Sequence, residues 1–155
     1  MKTRRAFLKS TLATVVTGTG LAGLVTPVAA AGGTPRLTVY KNPTCGCCEQ
    51  WIAYLERAGF EAKVVNMDDL DAIKRMARVP EDLVSCHTAI VGGYTVEGHV
   101  PAEAIRELLA TRPDVFGIAA PGMPSGSPGM GGPTEAPLEV IAFSADGHRS
   151  LFMSF

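Results

Sequence analysis

The stretch that decides the fold of this chain is LTVYKNPTCGCCEQW, residues 37–51. Its first four residues alternate in polarity and are rich in strand formers, and Asn42-Pro43 ends the strand. Apolar residues then recur at i, i+4 and i+7 from Trp51 to Ala58, and Gly59 suits the left-handed position that closes a helix. The stretch therefore predicts a strand, a turn and a helix, with three cysteines at the turn.

Beyond Gly59 the chain continues to alternate between strands and helices. The pattern predicts a strand over 61–66, a helix from Asp68 or Asp69 that buries Leu70, Ile73 and Ala77 before Val79-Pro80, a hairpin of 88–91 and 94–97, and a helix from Pro101 to the residues before Pro113. The order β-α-β-α-β-β-α predicts an α/β, thioredoxin-like fold. In that fold a right-handed crossover brings the first turn to the carboxyl end of the sheet.

The C-terminal part has a different composition. Glycine and proline recur from Gly117 to Pro137, around Met123 and Met130, which favours an irregular loop without a helix or a central strand. Residues 138–143 and 151–155 predict a final β-hairpin. Because the chain returns to strand after so long a loop, we expect the loop to be held against the rest of the domain.

Length and composition indicate one small globular domain. The chain has 155 residues, of which 46% are hydrophobic and 19% are charged, so a second domain is not needed. We expect the linker to cover residues 32–36 and a single domain to cover 37–155.

The N-terminal residues have the features of a removable export signal. Four basic residues come first, an apolar run over 12–28 follows, and three alanines end the segment at Ala31. The sequence TRRAFLK, residues 3–9, matches a twin-arginine signal. We therefore expect a signal peptide over 1–31, cleaved near Ala31, and a mature protein in the periplasm of a bacterium.

The charge of the mature chain argues against nucleic acid as a partner. Cleavage would remove four of the 14 lysines and arginines and none of the 15 acidic residues, which leaves 10 against 15 and a net charge of −5. Glycines and Pro27 interrupt the apolar run, which falls short of the roughly 20 apolar residues that a bilayer span needs. We expect no stable membrane insertion after the signal is removed.

The four cysteines are the candidate metal ligands. Cys45 and Cys48 have the C-x-x-C spacing at a predicted helix N-terminus, where the helix dipole favours the thiolate. Cys86 precedes the third strand, whose start lies beside the first turn in the predicted fold. Clustered thiolates select Cu(I) or Zn(II), and the adjacent pair Cys47 and Cys48 suits bridged copper ions better than one tetrahedral zinc. Two disulfides are disfavoured, because a bridge between neighbouring cysteines is strained.

Four further residues are candidates for ligation or for contact with the ligands. His87 adjoins Cys86, and His99 follows the predicted hairpin. Met123 and Met130 lie in the irregular loop, and a thioether is a ligand for Cu(I) but a poor one for zinc. A lone histidine is more often a surface or capping residue, and each methionine can simply anchor the loop.

Two other functions use the same cysteines. A thiol-disulfide oxidoreductase or an arsenate-reductase-like enzyme would use Cys45 as nucleophile and Cys48 as resolving thiol. A structural zinc module would be unfolded without its metal. No phosphate-binding loop, Ser-His-Asp pattern or paired-carboxylate signature suggests another reaction.

Four separated motifs carry a family resemblance. Residues 39–51, 85–89, 96–101 and 121–130 resemble the CopG-type periplasmic copper-resistance proteins, long known as a domain of unknown function. The resemblance covers residues 37 to 155. It implies a thioredoxin-like fold that binds copper through its cysteines, usually encoded beside copper-efflux genes. It places the sulfur ligands on Cys45, Cys47, Cys48 and Cys86, with His87, His99, Met123 and Met130 as candidates nearby.

The sequence thus predicts a periplasmic protein that holds Cu(I), as one ion or several, and contributes to copper resistance. Its expected partners are copper ions and either a copper efflux system or a periplasmic metallochaperone. Metal binding is the main expectation, and no residue is assigned a catalytic role. Copper cycling between oxidation states would make the protein a redox enzyme, which the sequence leaves open.

Overall fold

A computed structural model of the chain describes residues 33–155, so the predicted signal peptide lies outside the described residues. No helix among residues 33–155 is both long enough and apolar enough to cross a membrane. The elements, in chain order, are β1 (Arg36–Lys41), α1 (Gly46–Arg57), β2 (Glu61–Asn66), α2 (Asp71–Met76), a short 3₁₀ turn (Glu81–Leu83), β3 (His87–Val91), β4 (Tyr94–Gly98), α3 (Ala102–Thr111), β5 (Gly117–Ala120), β6 (Glu139–Phe143) and β7 (Arg149–Ser154).

The strands form one mixed sheet of seven, in the order β2-β1-β3-β4-β5-β6-β7. The pairs β1 with β2 and β4 with β5 are parallel, and the other four pairs are antiparallel. The predicted order from β1 to α3 is confirmed, and so is the final hairpin of β6 and β7. The fold is mixed α/β, as the sequence predicts.

One strand corrects the prediction for the C-terminal part. Residues 117–120 were expected in the irregular loop, but they form β5, which lies inside the sheet between β4 and β6. Gly117 is opposite Thr95, and a Cβ atom on it would lie 2.1 Å from the carbonyl oxygen of Thr95. Gly117 therefore allows the close approach of two strands and does not mark a loop.

Helices cover both faces of the sheet. In α1 the buried residues Cys48, Trp51, Ile52 and Leu55 follow helical spacing, as the sequence predicts. The Tyr54 hydroxyl of α1 accepts a hydrogen bond from the Ala102 amide of α3, at 3.1 Å, so these two helices lie on the same face.

The opposite face carries α2. Thr88 and Glu97 are partners across β3 and β4, and both contact Lys74 of α2. The sequence predicted that α2 buries its apolar residues, but these are half-buried or exposed and Lys74 is the buried one. Instead of an apolar stripe, this helix therefore contributes a buried charge to the packing of the sheet.

Four segments of the chain meet at one end of this sheet. Because β1 and β3 are antiparallel with Lys41 opposite His87, the end of β1 lies beside the start of β3. Strand β4 ends at the same place, and so does its parallel neighbour β5, with Gly98 opposite Ala120. The cysteine turn, the segment before β3, the residues after β4 and the long loop after β5 therefore all lie at this end.

Candidate metal centre

A hydrogen-bonded turn between β1 and α1 places the first three cysteines. The Asn42 side-chain oxygen accepts a hydrogen bond from the Thr44 amide at 3.0 Å, and the Asn42 carbonyl oxygen accepts one from the Cys45 amide at 3.1 Å. This is the local bonding that asparagine typically gives a turn. Cys45 is the N-cap residue directly before α1, so Cys47 and Cys48 lie in the first turn of the helix.

The sulfur atoms of all four cysteines lie within 4.8 Å of one another. Cys45 and Cys48 are joined by a disulfide, and Cys47 and Cys86 are free. The Cys47 sulfur is 3.5 Å from that of Cys45 and 3.9 Å from that of Cys86. The Cys86 sulfur is also 3.6 Å from that of Cys48. The expected proximity of Cys86 to the first turn is therefore observed, whereas ligation by these cysteines stays a prediction.

The surroundings of Cys86 favour its thiol form over the thiolate. Burial, and then the neighbouring Cys47, raise its pKa to about 12. Its sulfur is 3.1 Å from Nε2 of His99, whose Nδ1 is 2.7 Å from the carbonyl oxygen of Pro128. A carbonyl oxygen only accepts, so Nδ1 carries the proton. Burial lowers the pKa of His99, which favours the neutral ring, so Nε2 can accept a hydrogen bond from the Cys86 thiol.

The second histidine, His87, is enclosed in the core beside the sulfur cluster. Its ring is 4.3 Å from that of Trp51, centroid to centroid, and its Nδ1 is 3.3 Å from the Cys86 sulfur. Its Nε2 is buried and has no hydrogen-bond partner within residues 33–155. Burial, followed by the nearby His99 and Lys74, lowers the pKa of His87 to about 3. Such a ring offers uncharged nitrogen atoms across the whole neutral range.

We expect the free energy of unfolding of the metal-free protein to decrease as the pH is lowered, because of His87. Above pH 6.5, the ordinary pKa of histidine, both states leave this ring neutral; below it the unfolded chain binds a proton that the folded chain takes up only near pH 3. The free energy of unfolding should therefore decrease by up to about 1.4 kcal/mol per pH unit in this window. Urea unfolding at pH 7, 6 and 5 measures it.

The matched variant for this experiment is His87→Gln. Glutamine does not bind a proton in this pH range. The slope of the unfolding free energy against pH should therefore be smaller in the variant than in the wild type, by an amount that corresponds to at most one bound proton. Equal slopes for the two proteins would show that His87 is not buried in the neutral form.

The long loop after β5, residues 121–138, packs over this end of the sheet, and we call it the cover loop. Besides the contact of Pro128 with His99, the Ser85 hydroxyl donates to the Gly122 carbonyl at 2.5 Å. Gly129 has a φ of +86° and lies so close to α1 that a Cβ atom on it would be 2.6 Å from the Trp51 amide nitrogen. The expectation that the loop is held against the domain is confirmed.

The two candidate methionines both belong to the cover loop. The side chain of Met123 is 55% exposed, and Met130 is half-buried, with its amide donating to the Ser127 carbonyl at 2.9 Å. Their contribution as sulfur ligands stays a prediction.

Sequence reasoning missed three buried charges around the site. Lys41 is fully buried at the end of β1, and its Nζ lies 2.6 Å from a Glu49 carboxylate oxygen. Lys74 and Glu97 form an ion pair of 2.5 Å on the opposite face. The buried positions of β1 are residues 37, 39 and 41. The alternation of the strand therefore predicts that Lys41 is buried.

The residues at this end of the sheet fit a soft metal ion. Thiolates and neutral imidazoles are the ligands that such ions prefer, and Cys86, His87 and His99 form a second group whose donor atoms lie within 4.8 Å. The His87 nitrogen that lies beside this group is Nδ1, 3.3 Å from the Cys86 sulfur. The disulfide removes two of the four sulfurs from this set until it is reduced.

Comparison with known proteins agrees with this arrangement. The family described as "Protein of unknown function, DUF411" matches residues 83–130, which include Cys86 and both histidines of the site. No curated protein matches the chain.

Two solved structures of the copper resistance protein CopG resemble the chain over most of its length. Form 2 is 37% identical, with a TM-score of 0.75, and covers 79% of this chain and 99% of its own. Form 1 is 37% identical, with a TM-score of 0.74, and covers 79% of this chain and 98% of its own. Identity at this level over nearly the whole of those structures shows common descent: this chain belongs to the family of the copper resistance protein CopG.

Proposed function

We propose that this protein holds Cu(I) in the periplasm, as one ion or several, and contributes to copper resistance. Copper is cargo in this proposal, bound at the sulfur cluster and passed to a copper efflux system or a periplasmic metallochaperone. We further propose that export follows the twin-arginine route and that β1 to α3 form a thioredoxin-like unit, to which β5, β6 and β7 add strands.

The observation that carries the proposal is the convergence of four cysteine sulfurs and two histidine rings at one end of the sheet. Cu(I) accepts two or three sulfur ligands and shares bridging ones, and adjacent cysteines such as Cys47 and Cys48 suit that geometry. Both similar structures are of a copper resistance protein, which supports copper as the metal.

Anaerobic purification of the reduced protein, followed by elemental analysis and X-ray absorption at the copper edge, tests the proposal. We expect at least one copper per chain, sulfur as the main scatterer around it, and a short copper-to-copper vector if several ions share sulfurs. A spectrum with only oxygen and nitrogen neighbours, or a protein that takes up zinc in preference to Cu(I), would contradict it.

The disulfide supports a second candidate function. Cys45 and Cys48 are joined at the N-terminus of α1, the position where a C-x-x-C pair exchanges disulfides with other proteins. In this candidate an external dithiol first reduces the pair; the Cys45 thiolate then attacks a substrate disulfide and releases one substrate thiol, and Cys48 attacks the mixed disulfide, which releases the second thiol and re-forms the Cys45–Cys48 disulfide. Cys47, Cys86 and the two histidines have no essential part in such a cycle, which separates it from copper binding.

A further inference from the structure

A buried polar cluster lies directly behind the sulfur site, on the α2 face of the sheet. It consists of Lys74, Glu97 and Thr88, of which Glu97 and Thr88 are fully buried and Lys74 is 7% exposed. One Glu97 oxygen, Oε1, accepts hydrogen bonds from Lys74 at 2.5 Å and from the Ser85 amide at 2.7 Å. The other, Oε2, accepts one from Thr88 at 2.7 Å.

Stability alone gives a weak reason for such a cluster. Burying two charges costs free energy that their attraction only partly returns, and apolar residues of similar volume often serve as well. The cluster also joins β4 to the segment before β3, which the strand pairing does not reach. Ser85 lies before β3, outside the ladder of β3 with β4, so Glu97 holds its amide where no strand partner does.

Ser85, whose amide is bound by Glu97, is the residue directly before Cys86 of the metal site. His99 lies two residues after Glu97. Ser85 and Gly98 also approach so closely that a Cβ atom on Gly98 would lie 2.6 Å from the Ser85 hydroxyl oxygen. The 3.1 Å separation of the Cys86 sulfur from His99 therefore depends on how these two segments are held together.

We propose that Glu97 is a positioning residue of the metal site: its side-chain oxygen accepts a hydrogen bond from the Ser85 amide and so fixes Cys86 against His99 and Cys48. Lys74 donates to the same oxygen and holds it in place. The inference rests on the proposed function for its metal-binding part. Partners that orient metal ligands in this way typically contribute 10- to 100-fold to affinity.

Two double variants separate the tether from the charge. Lys74→Met/Glu97→Gln is neutral and keeps an oxygen that can accept the Ser85 amide. Lys74→Met/Glu97→Met is equally neutral and has no acceptor. We expect the first to bind Cu(I) within about threefold of wild type, and the second to bind it about 10- to 100-fold more weakly, by anaerobic competition with a Cu(I) chelator. Equal affinities would overturn the proposal.

A second readout needs no metal. The ring ¹⁵N shift of His99 Nε2 reports the hydrogen bond from Cys86, and it should stay at the wild-type value in the glutamine variant and move toward that of Cys86→Ala in the methionine variant. If the wild-type protein bound no copper, the proposed function would fail while this shift still tested the tether. An unchanged shift in the methionine variant would refute the tether itself.

Controls address loss of stability. Val140→Ala, in the buried part of β6, should lower stability without changing the affinity or the His99 shift. If Lys74→Met/Glu97→Met does not fold, Ser85→Pro removes the donated amide hydrogen together with the hydroxyl, and Val84 has the extended ψ of 136° that a residue before proline requires. Ser85→Ala then controls for the lost hydroxyl. Ser85→Pro binding as tightly as Ser85→Ala would also overturn the proposal.

Discussion

Reduction of the Cys45–Cys48 disulfide is expected to strengthen Cu(I) binding by roughly 100-fold or more and to raise the number of ions bound. In the oxidised protein only Cys47 and Cys86 have sulfurs that can lose a proton, whereas the reduced protein offers four thiols within the same cluster. Each Cu(I) ion needs two or three sulfurs, so an oxidised site cannot supply bridged ions. Thiol counting before an anaerobic Cu(I) competition measures both states on one preparation.

The matched control is the double variant Cys45→Ser/Cys48→Ser. It lacks the same two sulfurs under all conditions, so it should bind Cu(I) as weakly as the oxidised wild type whether or not reductant is present. Oxidised and reduced wild type binding equally well would mean that Cys45 and Cys48 take no part in holding the metal.

Replacement of Cys86 is expected to be the most damaging single change to the site. Its sulfur lies within 4 Å of two other cysteine sulfurs and of a ring nitrogen of both His87 and His99. A serine oxygen is a poor ligand for a soft ion. We therefore expect Cys86→Ser to weaken Cu(I) binding by roughly 100-fold and to remove at least one ion from the stoichiometry, with the fold intact.

Cys47→Ser is the matched control for this prediction, since the Cys47 sulfur lies within 4 Å of two other sulfurs, those of Cys45 and Cys86. Its effect should be smaller. Both variants should also be assayed for disulfide reduction with a dithiol, because the competing oxidoreductase needs only Cys45 and Cys48. Unchanged copper stoichiometry in both variants, together with intact disulfide reductase activity, would favour the enzyme over the copper protein.

Much of the fold and of the site followed from local patterns. The alternation in β1, the helical spacing after the cysteines and the Gly92-Gly93 turn each predict one element, and short connections then bring the start of β3 beside the first turn. That topology, together with residue chemistry, was enough to expect Cys86 near the other cysteines.

The features that the sequence did not reveal depend on tertiary contacts. Strand β5 is only four residues long, and it begins with Gly117. A glycine is needed at this position because Thr95 approaches its backbone closely. Lys74 and Glu97 are each unremarkable in their own segments, and only the pairing of β3 with β4 under α2 makes them a buried pair. The disulfide reflects the redox state of the pair, which spacing alone does not fix.

The pairing of β5 with β6 has a consequence for how this family can vary. Both ends of the cover loop are fixed by neighbouring antiparallel strands, so in topology the loop is a long hairpin connection. Closing such a connection costs only about 0.6 kcal/mol more each time its length doubles. Insertions and deletions in the cover loop therefore change the free energy of folding little. The length of the cover loop can differ between homologues while the sheet stays the same.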